Sequence, residues 1–332
     1  SISYLVELGN GDNFLFDMGL GSMGNLFSLR PDFSKLDKVF ASHLHIDHVG
    51  DFMGLHIGGW LSGRYTPIHI YGPTGSTPEL GTKAFIEGMK QGYQWDLATR
   101  TGALPDKGAQ IVVHEFDYMQ QNEIVYQENG VTIRSFPAIH SLDGPVSFSL
   151  EWNGLKFVFG GDTFPNKWYA KYAKGADLAI HECFIAVPDM ITKFGFTPQG
   201  ALSVGTQVHT APEAFGKVMS IVKPRMAIAY HFFNDPDTSP AILSGVRSTY
   251  DGPLTLADDY MVWNVTKEGT RTRMGVANPN RYPLPALQEK EMAEGADRYQ
   301  TPEWITKGLE PEVLPVIQKI YDDFNEQFET SI

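Results

Sequence analysis

The chain of 332 residues contains a single cysteine, Cys183. One thiol excludes an internal disulfide and a cysteine-based zinc site. It leaves the compartment open, because proteins of oxidising compartments also do without disulfides. Positive charge is scarce: 26 Lys and Arg stand against 39 Asp and Glu, for a net charge of -13, and no basic run exceeds two residues. Nucleic acids are bound chiefly through clustered Lys and Arg, so this balance argues against a polyanionic partner. No apolar run approaches the ~20 residues that span a bilayer, which reads as a soluble chain, cytoplasmic or periplasmic. No initiator methionine precedes Ser1, and the first residues already look like a strand, so an upstream segment is expected to be missing. Internal repeats of fixed period are absent as well.

What is present is an ordinary globular composition, 42 % apolar and 20 % charged, over a length that serves one large domain or two modest ones. At the start, "ISYLVEL", "GNGDN" and "NFLFDMGLGS" read as two strands joined by a turn. "KVFAS" and "PIHIYGP" read as buried strands, and "VGDFMGLHIGGWLSG" between them has near-helical spacing of apolar residues. Residues 79–103 are helical in pattern and rich in aromatics, an insertion expected to cover a site. Strands resume with "QIVVHEF", "EIVYQENGVTIRSFPAIH", "VSFSLEWNGLKFVFGGD" and "DLAIHECF". "TAPEAFGKVMSIVKP" reads as a helix with Thr210 as N-cap and Pro212 in its first turn, and the strand "MAIAYHF" follows. This order predicts an α/β protein whose sheets are covered by helices, an αββα layering rather than a parallel doubly wound sheet. Residues 1–274 are expected to form the main domain and 275–332 a Pro-punctuated extension. Its last helix aligns Val313, Val316, Ile317, Ile320, Phe324 and Phe328 on one face, to pack on the sandwich or across a dimer.

The densest chemistry lies in "ASHLHIDHVGD", residues 41–51, with three histidines and two aspartates. His43 and His45, two apart, share one side of extended chain, while Asp47 and His48 turn toward a second point as a helix begins. His140, Asp162 and His231 each lie just past an apolar run, as the first cluster does. Side chains at the ends of several strands gather along one edge of a sheet, so all four sites are candidates for one metal centre. Taken singly, each has a structural alternative: a core histidine with a satisfied hydrogen bond, or an aspartate in a turn. His56, His69 and His114 fall inside helix or strand patterns and read as packing or surface residues.

The pattern H-x-H-x-D-H, then His, then Asp after two glycines, then His, resembles the metallo-β-lactamase superfamily over roughly residues 1–270. The resemblance implies an αββα sandwich with two metals. His43, His45 and His140 would hold one; Asp47, His48 and His231 would hold the other; Asp162 would bridge them. Within the superfamily, "GGDT", "AIHECF" and "VHTAPEAFGKVMSIVKPRMAIAYHF" are most similar to the ribonuclease Z and arylsulfatase branch. In that branch a His-Glu pair and a His-Ser/Thr pair follow the bridge, here His181–Glu182 and His209–Thr210. A homodimer is also a family expectation.

Imidazoles and carboxylates suit two Zn²⁺, with Mn²⁺ or Fe²⁺ as alternatives. Two such ions about 3.5–4 Å apart share a water and lower its pKa from about 15.7 towards 7, which supplies hydroxide at neutral pH. Asp47 is assigned two roles, ligand and orienter of that hydroxide. His209 is the candidate proton donor to the leaving group, or the group that neutralises an oxyanion; its alternative is a surface histidine capping a helix. His181 and Glu182 are read as hydrogen-bonding support for the ligands. Trp60, Tyr93 and Trp95, with Phe232, Phe233 and Asn234 beside the last ligand, are read as substrate pocket, joined by Phe184 and Phe196. Arg64 and Arg100 could bind a sulfate, phosphate or carboxylate tail, although nothing in the sequence turns them inward. The leading expectation is a binuclear hydrolase of a small, partly aromatic ester, arylsulfatase-like in action. Lactone or β-lactam hydrolysis, a ribonuclease Z-like phosphodiesterase, and a metal scaffold with decayed catalysis are the alternatives. The presence of all seven presumed ligands opposes the last.

Overall fold

A computed structural model describes residues 2–282 and 303–331. Strands β1 (Tyr4–Glu7), β2 (Asn13–Phe16), β3 (Lys38–Phe40), β4 (Ile68–Pro73) and β5 (Ile111–Phe116) form a first sheet in that spatial order. A second sheet contains β6 (Glu123–Glu128), β7 (Val131–Pro137), β8 (Val146–Trp152), β9 (Leu155–Phe159), β10 (Leu178–Glu182), β11 (Met226–Tyr230) and β12 (Leu254–Leu256), ordered β12-β11-β10-β9-β8-β7-β6. A separate hairpin pairs β13 (Met261–Val265) with β14 (Thr270–Met274). Helices in the first half are α1 (Ser22–Leu29), α2 (Ile46–Val49), α3 (Phe52–Leu61), α4 (Thr82–Gly92) and α5 (Gln94–Arg100). The second half contributes α6 (Lys167–Tyr172), α7 (Val187–Thr192), α8 (Pro198–Ser203), α9 (Pro212–Val222), α10 (Ser239–Arg247), α11 (Glu303–Gly308) and α12 (Leu314–Phe328).

Apolar side chains sort into three layers, which fixes the αββα order. Phe14, Phe16 and Phe40 of the first sheet meet Ile133, Phe148, Phe159, Ile180 and Ile228 of the second in the central layer. Phe16 stacks on Phe40 at 5.2 Å, and Phe40 on Tyr71 at 4.6 Å, contacts worth about 0.5–1.5 kcal/mol each beyond their buried area. On the outer face of the first sheet, Leu15, Val39, Ile68 and Ile70 pack under Met23, Leu26, Phe52, Leu55 and Ile86 of the helices. On the outer face of the second, Val158, Ala179, Ala227 and Ala229 pack under Tyr169, Phe215, Val218, Met219, Ile242 and Val246. Small alanines on β10 and β11 let α9 approach the sheet closely. Strands β2 and β10, "NFLF" and "LAIHE", are buried at every position because both of their faces are covered.

Strands β2 to β5 run parallel, as do β9 to β12, while β6 to β9 alternate in direction. The carboxyl ends of β7, β9, β10 and β11 therefore lie at one end of the second sheet. Chain leaves these ends toward His140, Asp162, Glu182 and His231.

Two expectations change. Thr210 is not the cap of α9, whose N-cap is Ala211; its hydroxyl donates instead to the Thr163 carbonyl at 2.7 Å. The apolar face of α12 does not pack on the sandwich: Val313, Val316, Ile317, Ile320, Phe324 and Phe328 are all exposed in the single chain. Of the expected extension, residues 283–302 and Ile332 lie outside the described residues. No described helix is long and apolar enough to cross a membrane.

Candidate metal centre

Strand β3 delivers His43, buried beneath the loop, and His45 at the N-cap of α2; Asp47 and His48 sit within that single turn. Strand β7 leads to His140 and β9 to Asp162 through Gly160 and Gly161. Gly161 has φ +60°, and a Cβ there would lie 2.6 Å from Ser42 Cβ, so this close approach of two site loops requires glycine. Strand β11 ends at His231, whose φ of 75° is left-handed and costs on the order of 1–3 kcal/mol in a non-glycine residue.

These segments converge. Donor atoms of His43, His45, His140 and Asp162 lie within 4.8 Å of one another, as do those of Asp47, His48, Asp162 and His231. The two groups coincide with the two sets implied by the resemblance, and Asp162 belongs to both. A third group joins His140 to Glu182 and His209.

The hydrogen bonds outside the groups decide which ring nitrogen faces inward. His140 Nδ1 donates to the Val208 carbonyl at 3.0 Å, which leaves Nε2 without a proton. His48 Nδ1 donates to Asp17 Oδ2 at 2.6 Å. Ser42 Oγ also donates to Asp17 Oδ2, at 2.7 Å, and so accepts from His43 Nδ1 at 3.1 Å. Asp17 thus orients two imidazoles, one directly and one through a hydroxyl. Its carboxylate further accepts from the Ser42 amide at 2.7 Å, and it is fully buried in a left-handed turn, φ 58°, after β2.

The inward atoms crowd together as ligands around a cation would. His43 Nε2 is 3.0 Å from His45 Nδ1, which is 3.3 Å from His140 Nε2, with the outer nitrogens of His43 and His140 already committed as donors. In the second group, His48 Nε2 is 3.2 Å from Asp162 Oδ1, and His231 Nε2 is 2.9 Å from Asp162 Oδ2 and 3.3 Å from Asp47 Oδ2. Yet His48 Nε2, His231 Nε2 and Asp162 Oδ1 are buried without a hydrogen bond. Atoms this close and this poorly aligned for one another suit a third partner between them. Burial alone pushes both imidazoles down. The Asp162 carboxylate nevertheless pushes His231 well up and, with Asp17, His48 up to about 10, so the cleft favours positive charge. The residues present fit a pair of divalent cations.

Buried Glu182 and half-buried His209 form a pair beside these groups. Glu182 Oε2 accepts from His209 Nδ1 at 2.8 Å and Oε1 from the Thr163 amide at 2.6 Å. Burial and the nearby Asp162 carboxylate push the Glu182 carboxyl up. The His209 ring stacks on Phe184 at 4.3 Å, with centroids 4.9 Å from His140 and 5.0 Å from His231.

Other expected site residues lie elsewhere. His181 points to the opposite face of β10 from Glu182. Its Nδ1 donates to the Glu182 carbonyl at 2.7 Å and its ring meets Tyr169 and Phe215, so it supports the outer core rather than the candidate ligands. Trp60 is fully buried under α3 with its indole donating to the Pro105 carbonyl at 3.0 Å, which makes it core and not pocket. Tyr93 and the 80 % exposed Trp95 point to solvent from the α4–α5 corner. Buried Arg64 binds the His56 and Gly108 carbonyls, and Arg100 pairs with Asp96, so neither guanidinium reaches the cleft. Phe232, Phe233, Asn234 and Phe184 do line a cleft of about 1360 Å³ with Asp47 and His231. Phe233 stacks there on Phe194 at 5.5 Å. Asp17 was missed: a lone aspartate after a strand, in "FLFDMG", carries no metal signature.

An αββα sandwich with histidines and aspartates gathered at one end of its sheets defines a metallo-β-lactamase fold. The chain belongs to the family described as the Beta-lactamase superfamily domain, which matches residues 12–232. Ribonuclease Z of Mycobacterium marinum is 29 % identical over 198 residues, which cover 58 % of this chain and 66 % of that protein. The chain thus spans just under two thirds of that relative. Ribonuclease Z of Myxococcus xanthus is 26 % identical over 301 residues, 78 % of this chain and 90 % of that one. In fold, the short form of human tRNase Z is similar with a TM-score of 0.54 at 20 % identity, over 78 % of this chain and 90 % of that one. The ribonuclease Z relatives give the expected arylsulfatase-like action no support.

Proposed function

We propose that the chain is a metal-dependent hydrolase that cleaves phosphodiesters. The observation that carries this reading is the convergence of seven donor side chains into two groups sharing Asp162, with the Glu182–His209 pair alongside. The ribonuclease Z relatives support the phosphoric ester over the sulfuric one. His43, His45, His140 and Asp162 would hold one divalent cation, and Asp47, His48, His231 and Asp162 the second, with Zn²⁺ suited to this donor set. Such a pair, when bound, acidifies water toward neutral pH and offsets charge on the phosphoryl oxygens.

The chain's own residues do the rest. Asp17, Ser42 and the Val208 carbonyl lock ring tautomers so that unprotonated nitrogens face the centre. Glu182 accepts from His209 Nδ1 and balances the charge of a doubly protonated ring, whose Nε2–H can then pass its proton to the departing ester oxygen and leave the neutral imidazole. The stacked Phe184 ring fixes the plane of that imidazole.

RNA stays within this reading. The low rank given to nucleic acid came from net charge, which averages over the whole surface and does not set the field at one cleft. The test compares metal-loaded protein on bis(4-nitrophenyl) phosphate, 4-nitrophenyl sulfate, 4-nitrophenyl acetate and a single-stranded RNA. Faster turnover of the phosphodiesters supports the proposal; cleavage of the sulfate alone overturns it.

A further inference from the structure

The candidate metal centre lies between two recesses. Asp47 and His231 face the large cleft described above, while His43, His45 and His140 face a cavity of about 610 Å³ between α4 and the loop after His140. That loop, residues 141–145, supplies one wall; the other comes from the segment Leu80–Met89. Helix α4 is seated by Ile86, which is buried in the outer core, so its neighbours Phe85 and Met89 are held at the cavity wall.

The chemistry of this cavity is one-sided. Leu44, Leu80, Phe85, Met89, Leu142 and Pro145 dominate it. Among the described residues no lysine or arginine lines it, and apart from the three histidines its ionisable groups are the carboxylates of Glu79 and Asp143. At its rim Leu142 is 66 % and Leu80 49 % exposed, large apolar side chains left in water beside a recess they could cover. A further phosphate of a polyanion would meet two carboxylates and no cation here. An uncharged aryl or alkyl group would be desolvated against carbon, and the volume falls within the range of small-molecule sites.

Resting on the phosphodiesterase reading, we propose that this cavity is a subsite for the uncharged apolar arm of the ester, with the scissile phosphorus held at the histidine end. The planar ring of Phe85 and the polarisable thioether of Met89 suit an aryl group. A nucleobase shares that planarity, but it brings ring donors and acceptors for which the apolar walls offer few partners.

Gly88 is the place to test this. It lines the cavity, it is exposed on α4, and a Cβ there would meet nothing within 4 Å. A side chain can therefore start at Gly88 without backbone strain or a Cβ clash; Gly88→Phe is chosen to occupy the cavity, and Gly88→Ala serves as the control that leaves it open. With bis(4-nitrophenyl) phosphate, both of whose arms are aryl, KM should rise about 10-fold or more in Gly88→Phe while kcat changes little, and Gly88→Ala should behave as the parent. A neutral apolar fluorophore, N-phenyl-1-naphthylamine, should lose one binding site in Gly88→Phe and keep it in Gly88→Ala. A parental KM with unchanged fluorophore binding in Gly88→Phe overturns the subsite, as does equal loss in both variants. Gly88-dependent fluorophore binding by metal-loaded protein that cleaves no phosphodiester overturns the phosphodiesterase reading and leaves the subsite standing.

Discussion

Asp17 touches no candidate metal position, yet the hydrogen bonds predict that it controls metal affinity. Oδ1 accepts from the Ser42 amide, and Oδ2 accepts from both the Ser42 hydroxyl and His48 Nδ1, at 2.6–2.7 Å. Replacement by asparagine keeps the shape and turns one oxygen into a donor. If the amide nitrogen takes the Oδ1 place, it faces the Ser42 N–H. If it takes the Oδ2 place, it faces His48 Nδ1–H, and that imidazole relieves the conflict only by moving its proton to Nε2, the atom that faces Asp162. The Ser42 hydroxyl must also reverse and donate to His43 Nδ1, which shifts the proton of His43 to the nitrogen facing His45. In that second placement both metal groups lose a lone pair through the change of a single atom. Loss of such an orienting partner typically weakens metal binding about 10- to 100-fold, or roughly 1.4–2.7 kcal/mol. The stability of the folded chain without metal should fall as well, by about 1–3 kcal/mol for the donor left unsatisfied. Competition against a chelator of known affinity measures the first quantity, and urea unfolding with excess chelator the second. Unchanged metal affinity in Asp17→Asn would refute the tautomer argument.

His209→Ala should lower kcat on phosphodiesters by about 10²- to 10⁴-fold, the usual worth of a positioned acid, with metal content unchanged; Glu182→Gln should act in the same direction and less strongly. Gly161→Ala should destabilise the fold by about 1–3 kcal/mol in thermal unfolding, because φ is +60° and Ser42 stands 2.6 Å from the new methyl. Trp60→Ala should cost about 3–5 kcal/mol of stability and leave the KM of the remaining folded protein unaltered, since the ring is core. Saturation with Zn²⁺ at about 1,000 times its Kd should add about 4 kcal/mol to unfolding, read as a concentration-dependent Tm.

Much of this centre was legible in the residues. The spacing of His43, His45, Asp47 and His48, and the placing of His140, Asp162 and His231 after apolar runs, pointed to strand ends, and strand ends meet in a sandwich. Layering was legible because apolar runs of strand length alternate with helical patterns. What local pattern cannot carry is the direction of a side chain relative to distant partners. His181 and Glu182 are adjacent on β10, so they face opposite layers, and only the sheet's depth shows that glutamate takes the inner side. Trp60 looked like pocket because aromatics were grouped by sequence proximity, whereas the helical period of α3 turns it into the core. Asp17 is joined to Ser42 and His48 across 25 and 31 positions, a link that residue types alone do not reveal. Net charge is limited for a similar reason: it is a sum without positions, and the ribonuclease Z relatives weigh against ranking nucleic acid low on that ground.

The central claim is that seven side chains form one binuclear centre joined through Asp162. Its most direct test is metal stoichiometry by equilibrium dialysis against Zn²⁺ and elemental analysis, on the parent chain and on Asp162→Ala. Two ions per parent chain, with both lost or strongly weakened in the variant, is the expected result. Two ions retained by Asp162→Ala, or fewer than one in the parent, would contradict it.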